Sequence, residues 1–231
     1  MKTSTAKLSS EERRAAIITA VRRLFADKGF HGTTTRALAD AAGVSEALLF
    51  KHFPNKEALY SAMLLACCPK KDSAVVERLT ALEPSASSLV ILVHALMSHL
   101  IEGAGAQEEE QETQYRLMTR SLLEDGEFAR FFLERVVAGW LNKIEQCLKA
   151  AIADEEAVAS PVQPRLTSWF ADHLAVMIMM CLRPATPIVD YGVSRKQLAE
   201  QAVRFTLRGM GLTDEAIRRY YNPKALRLLE R

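Results

Sequence analysis

The stretch Thr33–Lys56, TTTRALADAAGVSEALLFKHFPNK, constrains the fold more than any other part of the chain. It reads as two short helices joined by a tight turn. Thr34 is suited to cap the first, because its hydroxyl can accept a hydrogen bond from a free amide two or three residues on. That helix is expected over Thr35 to Ala42, with Leu38, Ala39 and Ala42 on its inner face. Gly43 follows where a helix ends in a left-handed conformation, which costs glycine nothing. Ser45 caps a second helix that carries Leu48, Leu49 and His52. Ala39 is small enough for the second helix to cross closely, and Leu49 is placed to pack into the angle between them. In such a helix-turn-helix the second helix enters the major groove of DNA.

The rest of the chain supplies helices to hold this unit. Ser9 and Glu12 have the spacing of a capping box, and Ile17, Val21, Leu24 and Phe25 form an apolar stripe that runs to a stop at Gly29. Asn55 is placed to cap a helix that begins at Lys56 and carries Ala58, Leu59, Met63 and Ala66, until Pro69 kinks or ends it. Beyond it no stretch alternates with period two, so the reading is all-α. A strongly apolar helix runs Leu89 to Ile101. The longest uninterrupted pattern runs Glu127 to Ala153, and Asp154 to Ser160 is a loop. Ser160-Pro161 is read as the start of a helix that is apolar around most of its circumference near Leu174 to Cys181, which calls for burial on several sides. Ser194 with Gln197 opens the next helix, stopped by Gly209 and Gly211, and Thr213 caps a last segment divided by Pro223.

The domain division follows: 1–56 a helix-turn-helix DNA-binding domain, 57–231 a larger helical domain for effector binding and dimerisation. Hydrophobic residues make up 49% of the chain, enough for one or two small domains with a real core. Formal net charge is only +2, yet residues 1–60 hold ten Lys/Arg against six Asp/Glu. The positive excess lies with the DNA-reading helices, as an electrostatic footprint should. Cys67, Cys68, Cys147 and Cys181 lack zinc-type spacing and read as thiols of a reducing cytosol. Cys67-Cys68 beside Lys70 and Lys71 is the pair with a redox role to weigh. Met1 to Leu8, with Lys2 and Lys7, reads as a polar arm, and the polarity of Met1 to Ser10 does not suit a secretory signal. The most apolar run, Leu174 to Leu182, is far short of the roughly 20 residues of a membrane span. A cytoplasmic protein without membrane, metal or cofactor is expected.

Residues 10–60 resemble the DNA-binding domain of the TetR family of bacterial transcriptional repressors. The resemblance is carried by Gly29-Phe30, Thr33-Thr34-Thr35-Arg36, Leu38-Ala39, Ala42-Gly43-Val44-Ser45, Leu49-Phe50, His52-Phe53, Asn55-Lys56-Glu57 and Leu59. The remainder is similar in size, helical pattern and the late segment Phe205-Thr206-Leu207-Arg208-Gly209-Met210. The resemblance implies a homodimer that binds a roughly palindromic operator on double-stranded DNA. Its interface would be built by helices near 160–183 and 194–209. It implies operator contact by Thr35 and Arg36, groove-facing positions at Glu46, Ala47, Leu48 and Lys51, and phosphate contact by His52 and Lys56. The caps Thr34 and Ser45, with Phe50, complete the DNA-facing set. Two positions depart from the family pattern. Phe50 replaces the usual tyrosine and loses a phenolic hydrogen bond to phosphate. Leu48 replaces a small residue, and could meet a thymine methyl or pack inward.

The resemblance also implies a small-molecule effector whose cavity lies in the larger domain. Candidate lining residues are Met63, Met97, Tyr115, Met118, Phe132, Trp140, Trp169, His173 and Met177, each of which could equally be core. His94, His99 and His173 are polar points in apolar helices. His94 and His99 stand five apart, off the shared face that a metal pair needs. No Gly-rich phosphate loop, nucleophile elbow or His-Glu metal pair suggests an enzyme. The competing readings are an architectural DNA-binding protein and a helical adaptor without effector.

Overall fold

The computed structural model describes residues 8–67, 74–103 and 109–228. They form thirteen α-helices and no strand, apart from one isolated bridge, Ala157 with Leu212. The side chain of Cys67, Cys68, Pro69, and the arm carrying Lys2 and Lys7 lie outside the described residues. Two compact units divide the chain: Met1–Lys71 with Glu108–Val136, and Asp72–Gln107 with Val137–Arg231.

The first unit contains α1 (Ser10–Lys28), α2 (Thr35–Ala41), α3 (Glu46–His52), α4 (Lys56–Cys67), α7 (Glu109–Leu123) and α8 (Glu127–Phe132). Helix α1 starts at the predicted capping box: the Glu12 amide donates to Ser9 Oγ at 3.2 Å, and the Ser9 amide to Glu12 Oε2 at 2.8 Å. The Ser9 amide first, and the Ser9 hydroxyl second, bond to the ionised carboxylate and hold the Glu12 carboxyl below the usual range. Ile17, Val21 and Phe25 recur every fourth residue, so one face of α1 is buried. They meet Leu38 and Ala39 of α2, Leu49 of α3, Leu59 and Met63 of α4, Leu117 of α7 and Phe128 of α8. Gly29 ends α1 at φ +70, and its amide donates to the Phe25 carbonyl at 2.8 Å. The free carbonyls at that end are taken by α7. Arg120 donates to the Asp27 and Lys28 carbonyls at 3.3 and 3.2 Å, and Arg116 pairs with Asp27 at 3.1 Å. A cation there also suits the helix dipole.

The second unit contains α5 (Ala74–Thr80), α6 (Ala86–Met97), α9 (Ala138–Ala153), α10 (Pro164–Leu182), α11 (Arg195–Gly209), α12 (Asp214–Tyr220) and α13 (Pro223–Leu226). Helix α6 is its centre. Leu89, Val90, Leu92, Val93 and Met97 are fully buried, and α9, α10 and α11 pack on it. Each such side chain contributes about 1.5–3 kcal/mol by leaving water. A π-helical turn, Ser98–Glu102, extends α6. Arg227 forks onto Glu102 of that turn at 3.1 and 3.3 Å and ties the end of α13 to it.

His94 of α6 is buried, with Ser98 Oγ 3.5 Å from its Nδ1 and the Tyr221 ring edge-on at 5.9 Å. Burial first, and Arg227 second, lower its pKa to about 4, while Glu200 opposes them. The folded state therefore takes up this proton later than the unfolded chain, whose value is near 6.5. The stability that His94 contributes is complete above pH 6.5 and is lost as pH falls toward 4. The slope in that window approaches about 1.4 kcal/mol per pH unit. His94→Gln should flatten the pH dependence of the melting temperature there by comparison with the unsubstituted protein. An identical dependence in the two proteins would contradict this.

Three sequence expectations need correction. Helix α10 begins at Pro164 with Gln163 at the cap, not at Ser160-Pro161. Ser160 Oγ instead accepts from the Val162 amide at 3.1 Å in a local turn, and the second proline takes the first-turn position. The pattern Glu127 to Ala153 is interrupted by a π-helical turn at Leu133–Val137. Finally, α10 is not buried on all sides within one chain. Phe170 and Met177 are 57% and 59% exposed, because α6 and α9 cover only its opposite face.

Candidate nucleic-acid interface

The interface residues are set by local bonds that the sequence prescribes. Thr34 accepts from the Ala37 amide at 3.2 Å and starts α2; Ser45 accepts from the Leu48 amide at 3.2 Å and starts α3. Between them Gly43 adopts φ +63, the left-handed geometry the turn requires. The Val44 amide donates to the Ala39 carbonyl at 3.0 Å and closes the turn. Leu38, Ala39, Leu49 and Phe53 point into the core and fix the angle between α2 and α3.

The outward face is then determined by helical geometry. Thr34, Arg36, Ser45, Glu46, Ala47, Phe50 and Lys51 are exposed, and Thr35, Leu48, His52 and Lys56 are half-buried. None of the eleven predicted positions, on α2, α3 and the start of α4, is buried. Arg36 and Lys51 carry the outward positive charge. Leu48 keeps part of its side chain at the surface beside Phe50. Asn55 accepts from the Ala58 amide at 2.7 Å and caps α4, leaving Lys56 in the first turn where free amides suit a phosphate.

Three contacts were not legible in the sequence. Thr35 Oγ1 donates to Glu46 Oε2 at 2.9 Å, which ties the first residue of α2 to the first of α3. The Arg14 guanidinium of α1 donates to the His52 carbonyl at the end of α3 and lies 4.2 Å over the Phe53 ring. It therefore braces the recognition helix from its carboxyl end. Lys56 Nζ lies 4.3 Å above the Phe30 ring, which orients its ammonium. No sequence signal announces Arg14, because it acts across 38 positions.

The nine candidate effector residues are divided between the two units. Met63 is fully buried in the first, where Tyr115, Met118 and Phe132 are half-buried. In the second, Met97 is fully buried and Trp140 half-buried, while His173 and Met177 are exposed. Of these residues, Trp169 lines a recess of about 40 Å³ with Ser168 and Arg165 of α10 and Ala138, Leu141, Asn142 and Glu145 of α9. His173 lies against Trp169, ring centroids 5.7 Å apart.

A family profile described as "Bacterial regulatory proteins, tetR family" matches residues 17–63, from the core face of α1 to Met63 of α4. The N-terminal head belongs to the TetR family. The match takes in all eleven predicted positions. A curated relative, the HTH-type transcriptional activator FasR of Mycolicibacterium smegmatis, is 40% identical over 58 residues. That stretch is 25% of this chain and 26% of FasR, so the matched region spans about a quarter of that relative's length. Among solved structures, AibR in complex with isovaleryl coenzyme A and operator DNA is similar with a TM-score of 0.56 at 19% identity, over 84% of this chain and 97% of that one. FadR from Bacillus subtilis in complex with stearoyl-CoA is similar with a TM-score of 0.52 at 17% identity, over 84% of this chain and 98% of that one. These likenesses establish that the TetR-type fold extends beyond the head.

Proposed function

We propose that this chain is a sequence-specific DNA-binding regulator of transcription, a repressor that binds a palindromic operator as a homodimer and is released by a small-molecule effector. The observation that carries it is the exposed α2–α3 surface, with Arg36 and Lys51 facing outward on a fully packed TetR-family head. Helix α3 enters the major groove, where Glu46, Ala47, Leu48 and Lys51 meet base edges. Arg36 forks onto guanine, the commonest specific contact. Thr34, Thr35, Ser45, Phe50, His52 and Lys56 set the register against sugar and phosphate.

The second copy is supported by an apolar stripe that one chain leaves uncovered. Leu166, Phe170 and Met177 of α10 and Phe205 of α11 are all exposed, on the two helices implied for a dimer interface. His173 and Met177 lie on or beside that stripe and are assigned to the interface, not to an effector cavity. Two heads then read half-sites one helical turn apart, about 34–36 Å or a multiple of it. An effector bound in the larger domain favours a dimer whose heads are wrongly spaced, and shifts the population off the operator.

Footprinting on the DNA that flanks its own gene tests the reading. A regulator of this kind protects a short palindrome, an architectural protein protects DNA broadly, and an adaptor protects nothing. Arg36→Ala should cost about 1–3 kcal/mol at the protected site and relax preference for one base pair in each half-site. An unchanged affinity would remove Arg36 from the interface.

A further inference from the structure

Thr34, Thr35 and Ser45 each carry one hydroxyl proton, and they use it differently. The hydroxyls of Thr34 and Ser45 accept from the Ala37 and Leu48 amides, both at 3.2 Å, so each cap keeps its proton for a phosphate oxygen. That of Thr35 donates to Glu46 Oε2 at 2.9 Å. A phosphate oxygen only accepts, so a hydroxyl that serves Glu46 has no proton left for the DNA backbone. What Thr35 adds to the register must come from its other atoms.

Glu46 takes no part in the cap of its own helix. It is the first residue of α3, whereas a box with Ser45 needs an acid at the third, where Leu48 stands. Its bond to Thr35 is exposed, so water can replace it and it adds little to the stability of the head. The effect of the bond is on direction. It joins the first residue of α2 to the first of α3 and orients the one acidic side chain among the eleven predicted positions.

On a duplex such an acid needs holding, because phosphates repel a carboxylate and a loose one swings away to water. Its partner in the major groove is an amino group. A carboxylate accepts from cytosine N4, while guanine O6 and N7 and thymine O4 offer only acceptors. Adenine sets its N7 acceptor beside its amino group, and there an amide of the same shape does better. We propose that Thr35 is a positioning residue, which holds the Glu46 carboxylate over the base edges so that Glu46 selects a cytosine in each half-site. This deepens the operator reading above and rests on it.

Selection of duplexes from a random pool by the full-length protein and three variants tests it. The unsubstituted protein should select cytosine at one position of each half-site. Glu46→Gln should change that position to adenine, since glutamine bonds N6 and N7 together. Thr35→Val keeps the branched shape and removes the proton. It should lower the preference for cytosine there about tenfold and leave the guanine read by Arg36 selected, which only a folded head can do. Thr35→Ser should restore the cytosine. A Thr35→Val protein that binds every sequence more weakly by the same factor would make Thr35 a phosphate contact and overturn the proposal. So would an unchanged cytosine preference in Thr35→Val, or a site that Glu46→Gln leaves as it was. In each of these cases the unsubstituted protein still selects a palindrome, and the operator reading stands. A pool that stays random for the unsubstituted protein sinks that reading and this proposal with it.

Discussion

Leu49→Ala is expected to cost the head about 2–5 kcal/mol of stability and to abolish specific DNA binding with it. Leu49 is the one fully buried side chain of α3 and is 2% exposed. It joins the recognition helix to α1 and α2, and α3 is only seven residues long. A helix so short has little stability of its own and is held by packing. Replacing the isobutyl group by a methyl leaves a cavity in the core that Leu49 shares with Phe25, Leu38 and Phe53. Because both tryptophans, Trp140 and Trp169, lie in the second unit, global fluorescence would miss the change. Amide exchange across α1–α3 reports it directly: protection there should fall, while α6 and α9 stay protected. Unchanged protection of α3 would mean that the helix is held by something other than this core.

Phe205→Asp is expected to turn a dimer into a monomer and to weaken operator binding at least a hundredfold, about 2.7 kcal/mol. Phe205 is 69% exposed in the single chain, the largest exposed ring on α11. Like Leu166, Phe170 and Met177 of α10, it is a large apolar side chain that one chain leaves uncovered, of the kind that marks a protein interface. A carboxylate on each copy within the proposed interface would be desolvated. Each head would still fold, since Phe205 takes no part in the head core. The binding lost is that of the second half-site. Sedimentation equilibrium gives the mass, and retardation on a full and a half operator gives the affinities. A monomeric variant with undiminished full-operator affinity would dissociate dimerisation from DNA binding and contradict the proposal.

What the sequence makes legible in this protein is what acts over three or four residues. The caps Ser9, Thr34, Ser45, Asn55, Ser194 and Thr213 accept from amides within the next three residues, and each helix starts where its cap predicts. The same holds for Gly43, whose left-handed turn is a local demand. Contacts between distant segments left no such trace. Arg14 reaches His52 over 38 positions, and Arg120 reaches Asp27 over 93. Nothing in the neighbourhood of either arginine distinguishes it from a solvated surface charge. The start of α10 was misplaced for a related reason. Ser160-Pro161 and Gln163-Pro164 are both plausible openings, and only the remaining packing chooses between them. Apolar content on α10 also cannot say which chain covers it. Met177 reads as buried from its neighbours, yet within one chain it faces outward. The π-helical turns at Ser98–Glu102 and Leu133–Val137 shift the helical face in mid-pattern, which a fixed period cannot show.

The candidate site follows the same division. The outward positions of α2 and α3 could be read because a helix-turn-helix specifies its outer face once its inner residues are known. The effector residues could not, because an aromatic or methionine on an apolar face looks the same in a core, a cavity wall or an interface.

Selection of bound duplexes from a random DNA pool by the full-length protein tests the central claim most directly. The selected sequences should converge on an inverted repeat whose half-sites are centred one or two helical turns apart, with a guanine at the position lost in Arg36→Ala. A pool that stays random, or one that converges on a site without two-fold symmetry, would contradict it.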